Sequence, residues 1–343
     1  MRDFGYLRAQ DTGTALTALA TVPGARAVAG GTDMLNLVKD SVEAPEVLVD
    51  ISRIGHSGIR ADAGGLHIGA LATMTAVLSD PAVRAEYPAI AEALELSASP
   101  QLRNAATVGG NLLQRTRCPY FRAERALPCN KREPGSGCAA ADGHGRSLAV
   151  FGWSERCRAT HPSDLAVALA ALDARVTLRS PDGTRTVPVT CFHLLPGDDP
   201  ARETVLRPGE LVLSVDVPPP SPDARSGYLK VRERASYEFA LVSVAARLEL
   251  DTNGGDSGDG NTGGGERPTI RRLHLALGGL AARPWRLYEA EDALVGTELT
   301  PEAIRPVLDS AFRDARPLKD NTFKIELAKR AVIRTLGRIG GTA

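Results

Sequence analysis

Apolar positions along the chain change their period several times, and each change marks an element. Residues 15–22 are helical in composition. Arg26-Ala27-Val28 reads as a short strand, and Met34, Leu35, Leu37 and Val38 fall at near-helical spacing. Val47-Leu48-Val49-Asp50-Ile51 is a buried strand by its β-branched content. These elements make residues 1–55 a small α/β unit. Residues 59–61 and 66–69 then alternate about Ala63-Gly64-Gly65, as a hairpin does. Helices are expected over 73–79 and 88–96, and an amphipathic helix over 164–172. Strands at 174–179 and 184–189 flank the turn Pro181-Asp182-Gly183. A strand at 210–217 is stopped by the prolines of 218–222, which places a boundary there and makes 56–222 a second unit. In the remainder, 223–343, strand-like runs at 228–232, 241–250 and 270–278 precede helices near 287–294, 301–315 and 323–339. That pattern predicts an α+β domain with a three-stranded sheet and helices. The glycine-rich stretch 251–265 between two of these strands reads as a flexible loop. A phosphate loop is not expected there, because no helix start follows it.

Composition narrows the function classes. At 43% hydrophobic, the 343 residues can bury a substantial core. Lysine plus arginine balances aspartate plus glutamate at 41 each, so no global basic field favours nucleic acid or an anionic membrane. No apolar run reaches the roughly 18 residues that span a bilayer, so membrane insertion is not expected. The segment Met1-Arg2-Asp3-Phe4-Gly5-Tyr6 carries an acid and no apolar stretch, so it reads as no export signal. A cytoplasmic location is the expectation, and a periplasmic one would need co-export with a signal-bearing partner. No Ser/His/Asp set, HExxH motif or paired-carboxylate pattern stands out.

Two glycine pairs carry candidate chemistry. Ala29-Gly30-Gly31-Thr32-Asp33 lies between a strand and a helix, where successive N–H groups can turn inward around an anion. The same pattern also suits a plain tight turn, and the spacing is not the GxGxxG of a Rossmann fold. Thr107-Val108-Gly109-Gly110-Asn111 is a second pair with hydroxyl and amide neighbours. Two such loops raise the expectation that both line one long anionic ligand.

Four of the five cysteines fall in an irregular insertion at about 115–160, with the spacing Cys118-x10-Cys129-x8-Cys138-x18-Cys157. This is neither the short knuckle of most structural zinc sites nor the common ferredoxin run. Spacing alone leaves open a metal or cluster site, ordinary thiols, or disulfides. Arg115, Arg117, Arg122, Arg125, Lys131 and Arg132 crowd the segment. Such cations suit an anionic four-thiolate cluster, and equally a solvated loop or a docking patch. Pro119, Pro128, Pro134, Gly135 and Gly137 supply the sharp turns that four converging sulfurs require.

The order of Ala29-Gly30-Gly31-Thr32-Asp33, Ile68-Gly69-Ala70, Thr107-Val108-Gly109-Gly110-Asn111 and His161-Pro162-Ser163-Asp164 resembles the FAD subunits and domains of the molybdenum hydroxylases. That family includes xanthine dehydrogenase, carbon monoxide dehydrogenase, 4-hydroxybenzoyl-CoA reductase and the periplasmic-type aldehyde oxidoreductases. The resemblance covers nearly the whole chain and extends to Phe323-Lys324-Ile325-Glu326-Leu327, where the family more often has Tyr-Arg. It implies an α+β fold with a two-part FAD-binding domain of the vanillyl-alcohol oxidase / CO dehydrogenase flavoprotein type and a C-terminal CO dehydrogenase flavoprotein-like domain.

By this resemblance, Ala29, Gly30, Gly31, Thr32, Asp33 and Met34 would wrap the FAD pyrophosphate. Thr107, Gly109, Gly110 and Asn111 would form the facing wall. Asp164 would accept hydrogen bonds from the adenosine ribose or nearby hydroxyls. Lys230 would lie near the isoalloxazine end and favour negative charge on the reduced ring, unless it is simply a solvated lysine on an alternating strand. His161, preceding Pro162 at a helix start, reads as structural. The segments around Cys118, Cys129, Cys138 and Cys157 are similar to the cluster-bearing insertion of the periplasmic-type aldehyde oxidoreductase flavin subunits, which implies a [4Fe–4S] cluster on all four. Cys191 reads as a buried or partly buried free thiol. The implied complex adds a large molybdenum-cofactor subunit, where aldehyde is oxidised to carboxylate, and a small subunit with two [2Fe–2S] clusters. An external acceptor, of unspecified identity, would take the electrons. No second nucleotide motif for NAD is seen. A zinc-binding scaffold subunit and a stand-alone flavin oxidase are the alternatives.

Overall fold

The computed structural model describes residues 2–251 and 267–342, so most of the expected 251–265 loop lies outside the described residues. Three sheets organise the described residues. β1 (Gly5–Arg8), β2 (Ala25–Val28) and β3 (Val47–Asp50) form a parallel sheet in the order β1-β3-β2. Parallel neighbours need a crossover, and the helices Thr12–Thr21 and Met34–Lys39 supply it. Asp11 starts the first helix by accepting the Thr14 N–H at 2.7 Å. β1 was not among the predicted strands. None of its residues is buried, so it carries no apolar alternation to read.

The second sheet is antiparallel and built from β4 (Ile59–Asp62), β5 (Gly65–Gly69), β6 (Arg175–Ser180), β7 (Gly183–Pro188) and β8 (Leu211–Val217), in the order β4-β5-β8-β6-β7. Both predicted hairpins form, with Asp62 opposite Gly65 and Ser180 opposite Gly183. Between β5 and β6 come the short helices Met74–Ser79, Pro81–Glu86, Pro88–Glu95, Pro100–Ala105 and Val108–Leu112. Thr73, Asp80, Ser99 and Thr107 open four of them by accepting freed N–H groups, and proline takes the first helical position in three of the five. The helix Asp164–Ala171, expected to be amphipathic, is buried at every residue. It is wedged between the helix Pro88–Glu95 and the third sheet, so no face is left for water.

The third sheet contains four strands rather than the predicted three: β9 (Arg225–Val231), β10 (Val242–Asp251), β11 (Thr269–Gly278) and β12 (Trp285–Arg286). β12 pairs only Ala276 with Arg286 and Leu277 with Trp285. Two residues cannot display an alternation, which is why the pattern missed it. The helices Tyr288–Leu294, Pro301–Ala311 and Phe323–Gly340 close the chain. The last one lays Ala328, Ala331, Val332 and Leu336 into the core of this sheet. It also buries Lys324, whose ammonium donates to the carbonyls of Leu148 at 2.9 Å and Gly279 at 2.7 Å. Burial pushes this lysine down to about 7, and Arg146 adds to the effect. Among the described residues no helix is long and apolar enough to cross a membrane.

Candidate functional site

β2 ends at Val28, and the chain turns through Gly30 and Gly31 into the helix Met34–Lys39. Gly31 has φ +70°, a conformation that costs glycine little. Gly30 is required for a different reason: a Cβ there would sit 1.8 Å from the carbonyl oxygen of Ala105. This close approach sets the first glycine loop against the residues that lead into the second. In the second loop, Thr107 caps the helix Val108–Leu112 and accepts the Gly110 N–H at 3.2 Å, while the Gly109 N–H donates to Ala70 O at 2.8 Å. Asn111 accepts the Ser163 hydroxyl at 2.6 Å. The two loops therefore differ. The N–H groups of the second loop are mostly used inside the protein. Among the described residues, no acceptor is bonded to the backbone N–H groups of Gly30, Gly31 or Thr32.

The loops share one crevice of about 750 Å³, within the range of small-molecule sites, roughly 300–1,000 Å³. Ala29, Gly30, Gly31, Thr32, Asp33, Met34, Thr107, Gly109, Gly110, Asn111, Asp164 and Lys230 all line it. Asp33 does not confront the crevice as a bare charge. It accepts the Arg115 backbone N–H at 2.9 Å, and Arg117 and Arg122 each reach it at 2.8 Å. Lys230 is not the solvated lysine of the alternative reading, since its side chain is 1% exposed and pairs with Asp164 at 2.8 Å. The other bonds of Asp164 come from Ser97 at 2.9 Å and Tyr228 at 2.5 Å. A ribose would thus meet a carboxylate already committed within the protein. Burial and the neighbouring Asp164 hold the Tyr228 phenol well above its ordinary range.

The four clustered cysteines converge. Cys118 and Cys157 are buried, Cys129 and Cys138 are half-buried, and all four line one small cavity with Phe121 and Lys131. Asn130 staples the loop between Cys129 and Cys138. Its side-chain oxygen accepts the N–H groups of Gly135 and Gly137 at 3.0 Å each, and its amide donates to Arg156 O at 2.9 Å. All five cysteines are free. Burial pushes the Cys118 thiol up to about 12 and raises Cys157 as well, the latter against the pull of Lys131. Four of the neighbouring cations are not a solvated patch: Arg115, Arg117, Arg122 and Lys131 are ion-paired and largely buried. Cys191, expected to be at least partly buried, is exposed. Its neighbours Val189 and Phe192 take the inward face of a short helix and leave it outside.

Two family matches along the chain decide the affiliation. Residues 2–220 match the FAD-binding domain in molybdopterin dehydrogenase, and residues 227–339 match the CO dehydrogenase flavoprotein C-terminal domain. The chain belongs to this flavoprotein family. Among its relatives, the aldehyde oxidoreductase FAD-binding subunit PaoB of Escherichia coli is 45% identical over 338 residues, 98% of each chain. The carbon monoxide dehydrogenase medium chain of Hydrogenophaga pseudoflava is 26% identical, over 97% of this chain and 96% of that one. A solved carbon monoxide dehydrogenase from the same organism superposes with a TM-score of 0.74 at 25% identity, covering 100% of this chain and 99% of that one. As a molybdopterin dehydrogenase flavoprotein the chain binds FAD, and the crevice fits that cofactor. It offers free backbone donors at Gly30–Thr32, no Cβ at the closest approach, and enough volume.

Sequence reasoning missed several residues at this site. Glu203 lies on the crevice wall and binds Lys131 at 3.0 Å and Arg115 at 2.5 Å. It stands in a loop without periodicity, so no local signal marks it. His193 packs against His161 with ring centroids 3.9 Å apart and the rings tilted by 40°, and burial pushes it down to about 4. Neither His161 Nε2 nor His193 Nδ1 has a hydrogen-bond partner among the described residues. Both rings line a small cavity that shares Lys131 and Glu203 with the crevice. Their burial supports the structural reading given to His161.

Proposed function

We propose that this chain is the FAD- and iron–sulfur-containing electron-transfer subunit of a molybdenum-dependent aldehyde oxidoreductase. The contact of Gly30 with Ala105 carries the reading, because it brings both glycine loops into one crevice. The aldehyde class is supported by the 45% identity to a subunit named for aldehyde oxidoreductase. Bound FAD supplies a ring that takes up and gives back electrons, which is chemistry no side chain here provides.

The protein's part is to bind, orient and tune. The N–H groups of Gly30, Gly31 and Thr32 would receive the diphosphate. Gly109 and Gly110 would form a wall flat enough for close approach, with Thr107 and Asn111 holding its shape. Asp33 keeps Arg117, which lines the crevice, in place beside that anion. Met34 would close the loop side of the crevice. Lys230, seated by Asp164, presents a fixed positive charge that favours negative charge at the flavin. In this reading Asp164 serves first as the anchor of Lys230.

We assign a [4Fe–4S] cluster to Cys118, Cys129, Cys138 and Cys157. Convergence of four thiols on one cavity supports it. Among the described residues no three Cys, His, Asp or Glu side chains approach closely enough to hold a single ion. Lys131, which lines the cavity, would offset part of the negative charge of such a centre. The partners in this reading are a large molybdenum-cofactor subunit, a small subunit with two [2Fe–2S] clusters, and an external electron acceptor.

Native purification tests the whole reading. The chain should co-elute with both partner subunits, show flavin bands with a broad iron–sulfur shoulder, and carry about four iron atoms beyond those of the small subunit. A colourless chain containing zinc, or one that oxidises alcohols by itself, would overturn it.

A further inference from the structure

The cysteine cage and the flavin crevice are joined by three kinds of contact. Leu37 and Val42, just past the first glycine loop, share an apolar cluster with Phe121, Cys118 and Cys157. Asp33, the last residue of that loop, is bound by Arg117 and Arg122, which bracket Cys118 along the chain. Glu203 on the crevice wall is bound by Lys131, which also lines the cage and stands two residues after Cys129. Arg115 closes the circuit, giving its backbone N–H to Asp33 at 2.9 Å and its guanidinium to Glu203 at 2.5 Å.

We propose that occupancy of the four-cysteine cage and binding of FAD are thermodynamically coupled, with Asp33 and Glu203 as the coupling carboxylates. This rests on the cluster reading above. Iron–sulfur bonds would fix Cys118 and Cys129, and with them the positions of Arg117, Arg122 and Lys131. Those cations neutralise Asp33 and Glu203. With the thiols unfixed, Arg117, Arg122 and Lys131 would hold Asp33 and Glu203 less firmly, Glu203 keeping Arg115, beside a crevice that must accept an anionic diphosphate. Repulsion between like charges is weakly screened in so enclosed a site. The coupling is reciprocal by linkage: FAD favours the neutralised carboxylates, which hold the cations and tighten the cage.

The test measures FAD affinity of the full chain by flavin fluorescence quenching, with iron counted in every sample. Four proteins are compared: wild type, Cys138→Ser, Asp33→Asn with Glu203→Gln, and the triple variant. In the native background, Cys138→Ser should weaken FAD binding about tenfold, a usual size for coupling between sites. In the neutralised background its effect should shrink to less than about twofold. Since Cys138→Ser also risks local unfolding, wild-type chain stripped of iron and then reconstituted forms a second arm. Its FAD affinity should fall and recover, and bound FAD should slow iron release to a chelator. Equal FAD affinity with and without iron, or an undiminished loss in the neutralised background, overturns the coupling. A native chain that holds FAD but no iron overturns the cluster reading beneath it, and the iron count separates that result from the others.

Discussion

The flavin crevice and the cysteine cage lie side by side but are held by different physics. The crevice is walled by regular elements: two sheets and capped helices satisfy their own backbone, leaving the N–H groups of one glycine loop open. The cage segment has one helical turn, Pro119–Arg122, and isolated bridges at Cys129–Cys138 and Ser154–Cys157. It is fastened by side chains instead, through Asn130 and four ion-paired cations. On the cluster reading proposed above, a segment with so little repetitive structure would draw order from its ligand, as small metal domains do. A crevice framed by packed sheets keeps its shape without one.

The largest contrast is expected from the thiols. Cys138→Ser should abolish most of the iron while the sheets, followed by far-ultraviolet circular dichroism, stay intact. Full iron retention would remove Cys138 from the ligand set. On the crevice side, Lys230→Met strips Asp164 of its ammonium and leaves a buried carboxylate on neutral donors. Breaking a buried pair from one side typically costs about 3 kcal/mol, readable as a lower urea midpoint. An unchanged midpoint would mean that Asp164 is content without its partner.

Gly30→Ala follows. Its methyl group has no room beside the Ala105 carbonyl, so the loops must part at a cost of about 2 kcal/mol, and FAD affinity should fall with them. Lys324 tests the frame by pH. Its folded value, about 7, lies below that of an unfolded lysine, so at higher pH the unfolded chain holds the extra proton. Stability should therefore rise between about pH 7 and 10, and Lys324→Met should flatten that rise. Identical slopes in the two proteins would refute the assignment. The smallest effect belongs to Cys191→Ser, which should change neither iron, FAD nor stability, because this thiol is exposed and outside the cage.

What could be read from the sequence follows the range of the interactions. The hairpins at Gly64-Gly65 and Asp182-Gly183 announce themselves because turn chemistry is local. So do the glycine pairs, whose residues meet in the crevice. The buried state of Lys230 could not be read, because an alternating strand does not reveal that Asp164 and Ser97 wait across the fold. The same holds for Asp33, which draws its partners from more than eighty residues away. The amphipathic expectation for residues 164–172 failed because, after Asp164, the run is apolar on every side, as a helix buried between two layers must be. The exposure of Cys191 depended on which way a four-residue helix turned. The misses at Lys230 and Asp33 concern partners supplied by tertiary structure, whereas β1 and β12 offer no alternation to read.

A crystal structure of the FAD-loaded chain examines the central claim most directly. The diphosphate should lie within hydrogen-bond reach of the N–H groups of Gly30, Gly31 and Thr32, with Gly109 and Gly110 across from it. A diphosphate seated anywhere else, with those three N–H groups facing only water, would contradict it.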